Sequence, residues 1–361
     1  MSKKNPFLKY LKYVLFFGLG TLIFYLLLRG QDWTKIGESI QHIDYRFIAI
    51  CFVATILSHY VRAVRWNMLI DTLGFKVSAL NSFVAVMTGY FANLALPRMG
   101  EISRCVVLNR TNKVPVEKLI GTVVVERIVD VIALLILSIM TFALEFTRLE
   151  GFINKYILSK FNGQQTGSTT SNGNGLLYGI LILFFVGMIG LFVVFKIFKN
   201  NPLVVKIKSL IQGFGDGLQS IWKMENKWKF IGLSILLWFC YYLMVYFCFF
   251  SLEITSHLGL LAALTVLTLG SYGFVAPVQG GIGAYHWVVI QTLLMYGLNE
   301  QDGFTFALVA HSFQTLAIIL LGAISFMCIG FLIPKEDVLA PTIIEIDPSI
   351  RANENESLES N

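Results

Sequence analysis

The sequence predicts an all-α polytopic integral membrane protein of about 8 transmembrane segments, with one or two broken or re-entrant helix hairpins. Three observations carry that expectation. Of 361 residues, 56% are apolar and 14% charged, where a soluble domain carries about a quarter charged. Mean hydropathy is +0.69. Apolar runs recur along the chain at about the 20 residues a helix needs to cross a bilayer, and they are apolar all round, which excludes the alternating strands of a membrane β-barrel.

Continuous helices are expected near Leu8–Leu28, Phe47–Ile70, Leu119–Phe146, Leu176–Phe198, Phe230–Leu252 and Phe304–Ile333. The first follows a basic start (Lys3, Lys4, Lys9, Lys12) and ends at Arg29-Gly30-Gln31 without a small-residue cleavage site, so it reads as a retained helix and not a signal peptide. Two more apolar segments, Ala79–Pro97 and Leu258–Pro277, end in Pro/Gly motifs, and Ala284–Tyr296 follows the second at once. Asn162–Gly175 is rich in Gly, Ser, Thr and Asn and reads as an exposed loop. Leu203, Ile207, Leu210, Phe214, Leu218 and Ile221 form a helical stripe, so residues 202–222 are expected to be an amphipathic helix in the cytoplasmic interface. The domain is thus 1–334, and the tail 335–361, with seven acidic and two basic residues, is expected to be disordered.

Basic residues orient the chain. The N-terminus, the 196–229 connection and the Arg98–Lys118 connection (Arg98, Arg104, Arg110, Lys113, Lys118) all read as cytoplasmic. That holds only if Ala79–Pro97 dips in and returns on its own side, which a membrane tolerates where irregular backbone is buried in protein or lines a wet cavity. The expected location is the inner (plasma) membrane, with both termini cytoplasmic. The five cysteines form no CxxC pair and read as packing residues, and no metal or cofactor motif stands out. The +6 charge suits anionic lipid, without any need for nucleic acid.

Ionised residues inside apolar segments are the candidate site. A charge at bilayer depth costs about 2.5–3.5 kcal/mol on insertion scales, so it normally faces a partner or a cavity. His59, Arg62 and Trp66 share a face of one helix, with Arg65 beside them; Glu126, Arg127 and Asp130 interrupt another. Arg98, Glu101 and Arg104, at threefold spacing after Asn93 and Pro97, are placed for one face of a following helix. The five arginines (62, 65, 98, 104, 127) outnumber the three carboxylates (101, 126, 130) by two, and buried guanidinium groups in excess attract a phosphate. Blander readings stand beside this one: snorkelling arginines, a structural ion pair, a solvated loop at 98–104. At the second break, Gly280, Gly281 and Gly283 allow a sharp turn and a helix start that favours an anion, or simply close helix packing; His286 and His311 are equally readable as core histidines. Both breaks run proline, two residues, glycine, at corresponding places in the two halves, which is the sequence pointer to a transporter site built from repeats.

Arg62-Ala-Val-Arg65-Trp66, Asn93…Pro97-Arg98-Met-Gly100-Glu101…Arg104, Glu126-Arg127…Asp130 and Pro277…Gly280-Gly281-Ile-Gly283 together resemble the flippase-like membrane region of lysylphosphatidylglycerol synthases, over about residues 10–333. The resemblance implies a multi-helix membrane protein related to lipid-headgroup translocation. It departs in two ways: nothing resembling the soluble aminoacyl-transferring domain follows Pro334, which argues against lysyl transfer, and His286 stands where many relatives have glutamate. Three functions follow as expectations. First comes a translocase (flippase or scramblase) for an anionic phospholipid or polyprenyl-phosphate-linked headgroup. The second is a non-catalytic partner, or homo-oligomer, within an envelope-lipid synthesis complex. The third is a membrane-embedded transferase acting through Glu101, Glu126 or Asp130.

Overall fold

The structure is a computed structural model that describes residues 18, 21–29, 31–95, 99–153, 219, 221–276 and 278–333. The expected helix at 176–198, the loop at 162–175, nearly all of the 202–222 helix and the acidic tail lie outside these residues, as do Pro97, Arg98 and Pro277. Ten α-helices follow in order: α1 Trp33–Gln41, α2 Tyr45–Asp71, α3 Ala79–Ala95, α4 Gly100–Asn112, α5 Val116–Leu144, α6 Phe146–Ile153, α7 Lys227–Phe249, α8 Leu260–Val275, α9 Ala284–Leu294 and α10 Glu300–Leu332. Residues 21–28 are also helical. Helices α2, α7 and α10 are long and apolar enough to cross a membrane, and α5 runs beside them for 29 residues.

Helix starts follow from local chemistry. Asp32, Asp44 and Asn299 place side-chain oxygens on the free N–H groups of α1, α2 and α10, each cap being worth about 1 kcal/mol. Pro115, which lacks an N–H, immediately precedes α5. Lys113 ends α4 in the left-handed region (φ 57°).

The sequence reading of 98–118 as a connection is corrected: α4 occupies most of it. Helices α3 and α4 form an antiparallel hairpin. Its base is held where Asn81 Nδ2 donates to Asn112 Oδ1 (3.0 Å), and at its tip Asn93 Oδ1 accepts from the Gly100 N–H (2.7 Å). Gly89 and Gly100 face each other across the hairpin, leaving no room for a Cβ on either. The second break is the same device. Helices α8 and α9 run antiparallel, joined near the base by Thr265 Oγ1 and Tyr296 OH (2.8 Å). Near the tip, a Cβ on Gly273 would lie 2.6 Å from the Tyr285 Cα. Between them Gly280, Gly281 and Gly283 all take positive φ (59°, 76°, 82°), which an L side chain resists.

The two hairpins enter from opposite ends of α2. The first is anchored where Asn67 meets Val77 and Ser82; the base of the second packs with Cys51, Leu258, Ala262 and Leu298 near the start of α2. Their tips meet, with Gln279 Nε2 donating to the Leu94 carbonyl. Helix α7 runs against α2, from Leu69 at its start to Cys51 at its end. Helix α10 packs on α3, where Gly322 meets Met87 and Phe91, and runs from the Leu298 end to Ile329 at the core cluster that contains Trp66 and Ile70. The order long helix, hairpin, long helix therefore occurs twice, as α2–α3/α4–α5 and α7–α8/α9–α10, and the second copy is inverted. The cysteines are all free, four of them buried, as expected of packing residues.

Candidate functional site

Six charged residues of α2, α4 and α5 meet in one network. Arg62 binds Glu126 Oε1 and, at 3.0 Å, Asp130 Oδ2; its other terminal nitrogen donates to Tyr241 OH (3.1 Å). Arg65 donates to Asp130 Oδ1 (2.7 Å), Glu126 Oε1 (3.4 Å) and Ser234 Oγ (3.3 Å). Arg104 closes the ring on Glu126 Oε2 (3.0 Å) and lies 4.6 Å over the Trp66 ring, whose Nε1–H is held by Thr122. Arg127 sits at the edge, 3.7 Å from Asp130.

Burial decides against snorkelling: Arg62, Arg65 and Glu126 are 4%, 0% and 0% exposed. The solvated-loop reading fails for Arg104, which is equally enclosed, so it leaves the set of cytoplasmic loop bases. Four arginines against Glu126 and Asp130 give this network a surplus of two positive charges. Glu101, expected to share a face with Arg104, makes none of these bonds, and its Oε2 is buried without a hydrogen-bond partner. Nor do all the network's donors find acceptors. Arg62 Nε, Arg65 Nε, Arg104 Nε and Nη2, and Arg127 Nε are buried and unpaired.

A cavity of about 350 Å³ opens beside this surplus. Arg62, Arg127, Asp130, Tyr241 and Trp238 form its charged end, and the Trp238 indole N–H is another buried donor without a partner. Arg65 and Arg104 stand behind that wall and do not line the cavity. Tyr241, Trp238 and Ser234 escaped the sequence reading because none carries a charge. Their spacing of four and three residues on α7 was the available signal, since it sets them on one helical face.

The remaining expected residues gather at the hairpin tips. Asn93 is a cap, and Gly280 accepts from or donates through nothing but its backbone, its carbonyl meeting His311 Nε2 at 2.8 Å. His286 packs against Phe24, Phe304 and His311, at ring separations of 5.0, 6.4 and 4.8 Å, with Nδ1 unpaired. It does not line the cavity; its neighbour Tyr285 does. His59, beyond the network on α2, lies with its ring 4.9 Å from that of Tyr90, tilted by 46°.

This arrangement, with a buried arginine network between two inverted hairpins, can be set against known proteins. Residues 11–322 match the family model described as the lysylphosphatidylglycerol synthase TM region. The chain belongs to this family. The match spans the network and both hairpins, and family and apolar helices together make this a membrane protein. Two UPF0104 membrane proteins of Methanocaldococcus jannaschii are similar to it. One is 30% identical over 99 residues, covering 27% of this chain and 30% of the relative. The other is 24% identical over 249 residues, covering 68% of this chain and 97% of the relative. No solved structure matches the chain significantly.

Proposed function

We propose that the protein is a lipid translocase, moving the anionic headgroup of a phospholipid or a polyprenyl-phosphate-linked lipid across the plasma membrane. The observation that carries this reading is a cavity lined by Arg62, Arg127 and Trp238, each of which holds a buried donor without an acceptor, beside a network with two surplus positive charges. A buried donor without an acceptor costs about 1–3 kcal/mol, more when charged, and a phosphate offers acceptors that suit guanidinium groups.

Three further features support it. Inverted repeats whose broken helices meet end to end are the scaffold of many secondary transporters. Membership of the lysylphosphatidylglycerol synthase TM region family ties the chain to proteins of membrane-lipid synthesis. The end of the bundle around Asp71 carries seven bases (Lys76, Arg110, Lys113, Lys118, Lys223, Lys227 and Lys229) among the described residues, against four (Arg29, Lys35, Arg46 and Arg148) at the end around Asp32 and Asp44. The basic end is the cytoplasmic one under the positive-inside rule, so both hairpins are re-entrant, α10 finishes in the cytoplasm, and the N-terminus starts there.

The test is leaflet exchange of a fluorescent anionic lipid in proteoliposomes containing the purified full chain. Exchange is expected to accelerate over empty vesicles. Arg127→Gln, at the partly exposed edge of the network, is expected to slow it roughly 10-fold or more, the worth of one charge-assisted hydrogen bond. Exchange no faster than in empty vesicles would remove the translocase reading, and would favour a partner that works only within a larger complex.

A further inference from the structure

The cavity is charged at one end only. Its lining runs from Arg62 to Cys51 on α2, eleven residues or about 16 Å of helix rise. Below the arginines the walls are Leu134, Val266, Leu267, Phe306, Ala310 and Phe313. Beyond the charged end, and among the described residues, Ser271, Tyr285 and Gln314 supply the only polar side chains apart from thiols. A volume of about 350 Å³ drawn out over that length is a narrow slot. The ester carbonyls and hydroxyls of a diacylglycerol headgroup would enter it largely unpaired, which is costly, and two chains would compete for one channel.

The slot also has an apolar exit. Trp238 and Leu267 belong both to it and to a wider groove of about 610 Å³ between α5, α7 and α8, lined by Ile132, Ile136, Ile235, Phe239 and Leu264. Ser234, which bonds Arg65, lies on that groove as well. Among the described residues, an apolar path thus leads from the arginine end of the slot to that groove.

Resting on the translocase reading, we propose that the cargo is a single-chain lipid phosphate. Its phosphate binds Arg62, Arg127 and Trp238 Nε1, its first carbons fill the slot, and the rest of the chain leaves past Trp238 and Leu267. A prenyl and an acyl chain share this chemistry.

Binding to the detergent-purified full chain, followed by calorimetry, tests this with four probes: farnesyl phosphate, lysophosphatidate, inorganic phosphate and dioleoylphosphatidylglycerol. At least one single-chain phosphate is expected to bind tenfold or more tightly than inorganic phosphate and phosphatidylglycerol; which one does so identifies the chain. Ala310→Phe and Leu134→Phe, which fill the slot from two different helices without touching the arginines, are expected to weaken that probe at least tenfold. The ligand series on the unaltered protein decides the matter by itself where a variant does not fold. Phosphatidylglycerol binding as tightly as the single-chain probes overturns the proposal, as does unchanged affinity in both folded variants, and either result leaves the translocase reading standing with another cargo. If no phosphate-bearing probe binds, both readings fall.

Discussion

Glu126 is the residue whose removal the structure makes most costly. It has no exposed surface and accepts from Arg62, Arg65 and Arg104, which come from two other helices. Glu126→Gln keeps the shape but replaces one acceptor oxygen by a donor aimed at a guanidinium group, and it raises the network's surplus from two positive charges to three. Breaking a buried pair by removing one partner costs about 3–5 kcal/mol, because the remaining charge stays buried. Glu126→Gln should therefore lose about that much stability in equilibrium unfolding by SDS in mixed micelles. Arg104→Met in the same chain removes one of the stranded charges, so the double variant should be destabilised by less than the sum of the singles. A Glu126→Gln protein within 1 kcal/mol of the unaltered chain, about the size of one ordinary hydrogen bond, would show that the network is not held by this carboxylate. Strict additivity of the two changes would refute the charge bookkeeping on its own.

Three smaller predictions follow from the hairpins and the ends of the bundle. Gly273→Ala puts a methyl 2.6 Å from the Tyr285 backbone, which no rotamer relieves, so it should cost about 1–3 kcal/mol by the same unfolding assay, while Gly232→Ala, where the added Cβ meets open space, should not. Asn93→Ala leaves the Gly100 N–H without its acceptor and should destabilise by about 1 kcal/mol, visible as faster amide exchange at the tip of the first hairpin. Cysteines placed at Lys76 and at Glu300, in a chain with the native cysteines replaced, should be labelled by an impermeant maleimide from opposite sides of the membrane; labelling of both from one side would refute the proposed orientation.

Much of this architecture is legible in sequence, for identifiable reasons. Spans such as α2 and α10 announce themselves through unbroken hydropathy, and the observed bounds shift from the expected ones by only a few residues where caps set them: Tyr45 after Asp44, Glu300 after Asn299. The break after Ala79–Pro97 was legible from its proline and glycine, but that segment was expected to turn back by itself, whereas it forms only the first arm of the hairpin. Its second arm was less visible. Helix α4 carries Glu101, Arg104, Arg110 and Asn112 in thirteen residues, a composition that looks like a loop until Arg104 is seen to have Glu126 and the Trp66 ring for company. The arginine site was legible as charge in an apolar setting, whereas its α7 wall was not, since Ser234, Trp238 and Tyr241 are ordinary residues in an aromatic-rich helix. Helix α1 lay hidden too: nine residues between two aspartate caps are too short for a hydropathy signal.

The two inverted halves share a scaffold but not its chemistry, and that asymmetry says which side is free to move. In the first half, Glu126 and Asp130 tie α2, α4 and α5 together through several buried ion pairs. Separating those helices would strand charges in a low-dielectric interior. The second half meets this block without an ion pair: through apolar packing of α7 on α2, through bonds from Arg62 and Arg65 to the neutral hydroxyls of Tyr241 and Ser234, and through the Gln279–Leu94 link between the tips. Its own tip is held by a histidine–carbonyl contact at Gly280 and local backbone bonds, and it turns on three glycines of positive φ. Movement of the second hairpin past the first therefore separates no ion pair, whereas opening the first half would. Cysteine pairs separate the cases. Joining Asn81 to Asn112, both within the fixed block, should leave lipid exchange in proteoliposomes unchanged after cross-linking. Joining Leu94 to Gln279, across the tips, should stop it, and reduction should restore it. Equal exchange with the tips joined or free would mean that the cavity opens without relative movement of the two hairpins.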